Sequence, residues 1–358
     1  MKNRPSKPDM INQIVDLFDD AIMKCYYGMI DEEIDNTDVT NYNIEKGRLN
    51  YYDCFLMVVD YFLNDVELKV DEDTRKVIDE CLDTFKDLTE KYELNSEEIR
   101  RALLLLDIKA FKSVNFPLDI ITPDAIGMII ANFINAMYTD ITKIDLLDFN
   151  FGIGNLAFTI SNHSVHDISL VGVENHSLLA SVSVKKANLM MQNLNLFFQD
   201  ALEALPKDID VIVSDIASYD YENPNYASDL YNQGVRYFPY LAIEHFLKIE
   251  NKVLAIYIVE NNFFSKPYSN LFYDMMNKFG HIDALITLPT NFFQSKEDAK
   301  SIIIVSNEVK DNCETAIYML PSLSLQENFL KQLESICTYI KTRKEELKWF
   351  IVMQKKKI

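Results

Sequence analysis

The sequence predicts an α/β fold, a mainly parallel, doubly wound sheet preceded by an all-helical N-terminal domain. Three observations predict it. Short apolar runs alternate with segments of helical period between residues 144 and 306. The first third carries helical spacing, with no glycine between Gly47 and Gly127. Four strands close on polar residues, Asp148, Glu174, Asp200 and Ser214-Asp215, at the carboxyl ends where such sheets hold ligands.

The elements follow in order. Helices are expected over residues 11–29, 51–63 and 73–92, where apolar residues recur at three- and four-residue steps. Asn95-Ser96-Glu97-Glu98 reads as a helix start, a capping residue followed by acids, and the helix continues through Leu103 to Ile108. Asn115-Phe116-Pro117 breaks the pattern, and Thr122-Pro123-Asp124 opens an apolar helix over 125–137. Strands are expected at 144–147, 168–173, 196–199, 209–213, 253–259, 282–288 and 301–306, with helices at 177–194, 231–247 and 269–279. A short apolar run at 316–320 and a helix from 326 to about 349 complete the chain. The expected domains are 1–115, helical; 116–310, α/β; and 311–358, a strand and helix packing on the α/β domain.

Composition narrows the function. Of the 358 residues, 48% are hydrophobic, enough for a sizeable core, yet no run approaches the ~20 apolar residues of a membrane span. The polar first ten residues lack the apolar core of a signal peptide, so no membrane partner is expected. The five cysteines are scattered, without a C-x-x-C pair, which points to a reduced, cytoplasmic setting and no zinc site. His163 and His166 read as surface-loop residues. The net charge is −20, and residues 1–115 hold 15 Lys and Arg against 26 Asp and Glu. Such acidity disfavours DNA as a partner, because cations supply most affinity for phosphate. The basic residues near the end, Lys341, Arg343, Lys344, Lys348 and Lys355 to Lys357, read as a solvated helix terminus.

The chemistry centres on Asp148-Phe149-Asn150-Phe151-Gly152-Ile153-Gly154-Asn155-Leu156-Ala157. An apolar strand ends in an acid, and two of only eight glycines follow before a helix. Glycine lets the backbone turn sharply and approach a ligand, and the helix N-terminus offers free N–H groups. Glu174 lies 20 residues past Gly154, the spacing of a ribose-binding acid in a Rossmann-like dinucleotide fold.

With Thr122-Pro123 upstream and Asp200 after a third strand, the set resembles the S-adenosylmethionine site of class I methyltransferases. Within that class it is most similar to the N6-adenine DNA methyltransferase group, the YtxK-like relatives of restriction-modification methylase subunits. The resemblance runs from about Ile120 to Val309. It implies that Asp148, Phe149, Gly152 and Gly154 hold the methionine end of the cofactor, where the family's Pro is replaced by Phe149. It implies that Glu174 accepts the ribose hydroxyls, Asp200 the adenine amine, and that Thr122 and Pro123 border the methionine moiety.

The same family places Asn, Asp or Ser, then Pro-Pro and an aromatic residue, after the fourth strand, to hold a flipped base. The corresponding stretch here is Ser214-Asp215-Ile216-Ala217-Ser218-Tyr219-Asp220-Tyr221. Ser214 or Asp215 stands where the target amine is accepted, and Tyr219 or Tyr221 where the base is stacked. Neither proline is present, so rigid positioning is reduced.

Three functions compete. One is S-adenosylmethionine-dependent methylation of adenine N6 in DNA. The second is a catalytically impaired relative, a cofactor-binding or protein-interaction module with its helical domain on another protein. The third is an NAD-dependent oxidoreductase, which leaves Thr122-Pro123 and Asp200 unexplained.

Overall fold

The computed structural model describes residues 6–29, 49–64, 66–92, 94–203, 208–248, 253–309 and 314–355; Gly47, Lys356 and Lys357, named above, lie outside them. Among the described residues four helices lead: α1 (Pro8–Gly28), α2 (Tyr51–Asn64), α3 (Glu72–Lys91) and α4 (Ser96–Val114). The stripe Ile11, Ile14, Phe18, Ile22 and Cys25 is the buried face of α1. Asp71 caps α3 by accepting from the Thr74 N–H. The predicted start of α4 is a capping box, in which Asn95 and Glu98 satisfy each other's backbone N–H groups. That helix ends where Asn115 turns left-handed at φ 55°.

The alternating region follows: α5 (Asp124–Met137), β1 (Lys143–Asp148), α6 (Asn155–His163), β2 (Asp167–Glu174), α7 (Ser177–Leu189), β3 (Leu194–Phe198) and β4 (Val211–Asp215). Then come α8 (Asp229–Asn232), α9 (Phe238–Leu247), β5 (Leu254–Glu260), α10 (Ser269–Phe279), β6 (His281–Thr287), β7 (Lys300–Ser306), β8 (Ala316–Met319) and α11 (Gln326–Lys355). The strands form one sheet in the order β3-β2-β1-β4-β5-β7-β6-β8. Every neighbouring pair is parallel except β5–β7 and β6–β7, so among the described strands β7 alone runs backwards.

Strands covered on both faces read as unbroken apolar runs, and adjacent residues divide between the two faces. Ile256, Ile258, Ile302 and Ile304 join the core that also contains α1 to α7 residues and α11. Their neighbours Tyr257, Val259, Ile303 and Val305 join the opposite core, built with α8, α9 and α10. The apolar interior of the four N-terminal helices is therefore continuous with one face of the sheet.

Several expectations are corrected. The helix expected over 231–247 is two helices, because Gly234 turns at φ 93° and Pro239 opens α9. The helix expected over 177–194 stops at Leu189, and Met191 is left-handed at φ 53°. Leu118–Met137 does reach the length and apolarity of a membrane span, with mean hydropathy 1.4; its helix α5 packs against α6 and α11. His166 is buried rather than a surface-loop residue, with Nδ1 2.9 Å from the Ile141 carbonyl oxygen, and His163 ends α6 beside Glu97.

The basic end of the chain is not simply solvated. Arg343 on α11 is buried and donates through Nε to Asp283 Oδ1 at 2.6 Å, while Lys344 is buried over the Tyr138 ring. Asp283 is wholly buried on β6, so this ion pair clamps α11 to the sheet. Removing one partner of a buried pair leaves the other charge uncompensated. Arg343→Leu is expected to cost about 3 kcal/mol in urea unfolding, and adding Asp283→Asn should recover much of it.

Candidate functional site

β1 and β4 are neighbours in the sheet although β2 and β3 come between them in sequence, so the chain departs in opposite directions from this point. A cavity of about 750 Å³ opens there, at the carboxyl ends of the strands. Asp148, Glu174, Asp215 and Glu260, the last residues of β1, β2, β4 and β5, all line it.

The glycine turn forms its floor. Gly152 and Gly154 both have positive φ, 56° and 77°. A side chain at Gly152 would meet no atom within 4 Å, so this glycine leaves open space above the backbone. Gly154 does not itself line the cavity and is glycine for a second reason, since a Cβ there would lie 2.4 Å from the Phe158 ring. The Gly152 N–H donates to Glu174 Oε2 at 2.7 Å, and Glu174 Oε1 accepts from the His176 N–H at 2.8 Å. Glu174 thus ties β2 to the turn. Asn150 crosses the other way, accepting from the Ala217 N–H at 2.9 Å.

Asp148 is buried beneath the turn and accepts from the Ser214 hydroxyl at 2.8 Å and the Asn150 N–H at 3.0 Å. Burial pushes its carboxyl up to about 7, helped by the charges of Asp215 and Glu174 and opposed by the Ser214 and Asn150 hydrogen bonds. Ser214 is therefore spent below the floor and does not line the cavity. Asp215 does. Its Oδ2 accepts from the Thr122 hydroxyl at 2.8 Å and its Oδ1 from the Lys300 ammonium at 2.7 Å. Thr122 and Pro123 are part of the wall, and Asn155 at the start of α6 donates to the Thr122 carbonyl at 2.8 Å.

Three expected residues are placed differently. The Phe149 ring stacks on Phe246 at 3.9 Å within the core, which leaves its main chain for the cavity wall. Asp200 does not line the cavity, although Gln199 and Ala201 do. Its carboxylate accepts from the Leu202 N–H and the Tyr221 hydroxyl, both at 2.8 Å, and closes a turn rather than capping a helix. Tyr221 is buried by that bond, while Tyr219 lines the cavity, 43% exposed, with its ring stacked on Phe238.

Lys300 and Asn150 were not singled out in the sequence. Nothing local marks Lys300. It reaches the site because β7 runs antiparallel, which sets its first residue opposite the last residue of β5, Glu260. Asn150 carries a weak signal, a turn residue inside the glycine motif. Among the described residues, seven carboxylates line the cavity against one lysine and no arginine.

No family model matches the sequence. The uncharacterised protein YtxK of Bacillus subtilis (strain 168) is 29% identical over 249 residues, 64% of this chain and 71% of the relative. A Listeria monocytogenes protein assigned to the class I S-adenosylmethionine-dependent methyltransferases superimposes with a TM-score of 0.72 at 21% identity, covering 92% of this chain and 99% of its own. A modification subunit assigned to a type I restriction enzyme of Vibrio vulnificus YJ016 superimposes with a TM-score of 0.55 at 15% identity, covering 74% of this chain and 60% of its own. The chain thus has the class I methyltransferase fold, as expected from its sequence, with the four N-terminal helices in front.

Two consequences are measurable. Gly154→Ala combines a left-handed φ with a steric clash and should destabilise by about 2 kcal/mol or more; Gly152→Ala should cost only the φ strain, about 1 kcal/mol. Denaturant midpoints of the two variants test the contrast. The second concerns pH. Folded Asp148 keeps its proton to about pH 7, whereas an unfolded aspartate loses it near pH 4. The folded state then binds more protons between these values, so stability falls as pH rises through that window. Asp148→Asn should remove up to about 1.4 kcal/mol per pH unit of that fall, read as the difference between the two stability–pH curves.

Proposed function

We propose that this chain binds S-adenosylmethionine in the cavity and is a methyltransferase. The observation that carries the reading is the open space over left-handed Gly152, whose N–H is held by the carboxylate closing β2. A backbone bare at that point accommodates the methionine end of a cofactor, and a carboxylate with lone pairs to spare can accept ribose hydroxyls as well as its two N–H groups. The acid-rich wall suits a cofactor that carries a sulfonium charge. The similarity of fold to S-adenosylmethionine-dependent methyltransferases supports the same cofactor.

For the acceptor, the resemblance in sequence favours adenine N6 in DNA. Asp215 would accept from the exocyclic amine and Tyr219 would stack on the flipped base. The cofactor would supply the methyl group to the amine nitrogen, and the Asp215 carboxylate would take the proton that the nitrogen gives up.

A second reading, a cofactor-binding module with impaired catalysis that acts on another protein, is favoured by two observations. The Asp215 carboxylate is already matched by the Lys300 ammonium and held by the Thr122 hydroxyl, so its charge is compensated before any amine arrives. The carboxylate-lined cavity also opposes a polyanionic substrate.

Calorimetry and labelled-cofactor transfer test these readings. The wild type should bind S-adenosylmethionine, and Glu174→Ala should lose tenfold or more in affinity, as expected for a charged acceptor removed. Tight NAD binding with no heat from S-adenosylmethionine would refute the proposal. Transfer to adenine-containing DNA that Asp215→Ala abolishes supports the enzyme; binding without transfer supports the module.

A further inference from the structure

We infer that Lys186 is a positioning residue for the glycine turn, through which the N-terminal helices set the shape of the cavity floor. The inference rests on the proposed cofactor reading for its functional consequence, but not for its geometry.

Lys186 lies on α7 and is 1% exposed. Its ammonium donates to two acceptors. One is the Ile153 carbonyl oxygen at 3.0 Å, between the two glycines of the turn. The other is the carboxylate of Asp107 on α4, itself buried and accepting from the Tyr52 hydroxyl of α2 at 2.8 Å. Burial pulls the Lys186 ammonium down from its ordinary value, and the Asp107 carboxylate opposes that pull. A buried cation without a partner is costly, so α4 and α7 are held together at this point.

The turn needs such an anchor. Glycine reaches left-handed backbone without penalty, but it reaches many other conformations equally well. The front of the turn is fixed by the Gly152 N–H on Glu174 and the Gly154 N–H on the Phe151 carbonyl at 2.8 Å. Lys186 fixes the back, by orienting the Ile153 carbonyl and with it the peptide plane that leads into Gly154. A second buried cation from α4 acts beside it: Arg100 donates to Asn155 Oδ1 at 2.8 Å, on the first residue of α6. The turn is therefore gripped from behind by charges whose counter-ions come partly from α4.

Lys186→Met alone would strand the Asp107 carboxylate and weaken the whole fold. Asp107→Asn together with Lys186→Met removes that charge, keeps an acceptor for Tyr52, and leaves the Ile153 carbonyl without its donor beside a neutral amide rather than a stranded ion. Hydrogen exchange on the full-length protein then reads the turn directly. The double variant should melt near the wild type, yet its Gly152 and Gly154 amides should exchange at least tenfold faster. Its affinity for S-adenosylmethionine should fall at least tenfold. Unchanged exchange at these amides would overturn the inference. So would a double variant that regains both stability and cofactor affinity, or one that fails to fold. If the wild type does not bind S-adenosylmethionine, the cofactor reading fails, and the exchange rates still decide whether Lys186 positions the turn.

Discussion

A guanidinium that is 1% exposed must find partners for its donors inside the protein. Arg100 finds them on three elements. It pairs with Glu97 one turn back on α4 at 2.7 Å, with Asp124 at the start of α5 at 2.7 Å, and with the Asn155 side chain at the start of α6 at 2.8 Å. Much else depends on this arrangement. The first turns of α4, α5 and α6 have to converge on one point, and the loops that precede α5 and α6 are the two that carry Thr122-Pro123 and the glycine turn. The wall and the floor of the cavity are set relative to each other by a charge that neither contains.

From that point a chain of hydrogen bonds runs outward. Asn155, held by Arg100, donates to the Thr122 carbonyl; Thr122 donates through its hydroxyl to Asp215; and Asp215 accepts from Lys300. The chain begins with a buried cation and ends with a cation at the cavity. Each member comes from a different part of the sequence, and each has its geometry set by a partner rather than by its own backbone. Thr122 is the joint. Its carbonyl faces the interior network and its hydroxyl faces the site, so replacing it would uncouple the two.

What was legible in the sequence is what local chemistry determines. The glycine pair, Glu174 at the end of β2 and the start of α4 follow from turn and capping rules that act over a few residues. The strands of the sheet were readable because residues buried on both faces leave continuous apolar runs. Features set by the order of strands were not legible. Lys300 enters the site only because β7 is inserted antiparallel between β5 and β6. Asp200 shows why a strand-end acid is not by itself a cavity residue: a tyrosine 21 positions later holds its carboxylate. Arg343 was read as a solvated helix end because its counter-ion, Asp283, lies 60 positions away on β6.

Charge then separates the two halves of the site. Around the glycine turn Glu174 is held by backbone N–H groups and supplies a negative potential that suits a cationic cofactor, while buried Asp148, held by the Ser214 hydroxyl, defines shape. At Asp215 the carboxylate is matched by an ammonium from the protein itself. On the proposed reading, the exocyclic amine would use lone pairs that Thr122 and Lys300 leave free, and it gains less from a carboxylate whose charge an ammonium already matches. A wall of carboxylates with one lysine, itself paired with Asp215, gives a phosphate backbone little to replace its counter-ions. The Lys300–Asp215 pair is therefore the point on which the two proposed functions divide: shared with an amine, the carboxylate orients a methyl acceptor, and held by Lys300 and Thr122 alone, it leaves a cofactor pocket without one.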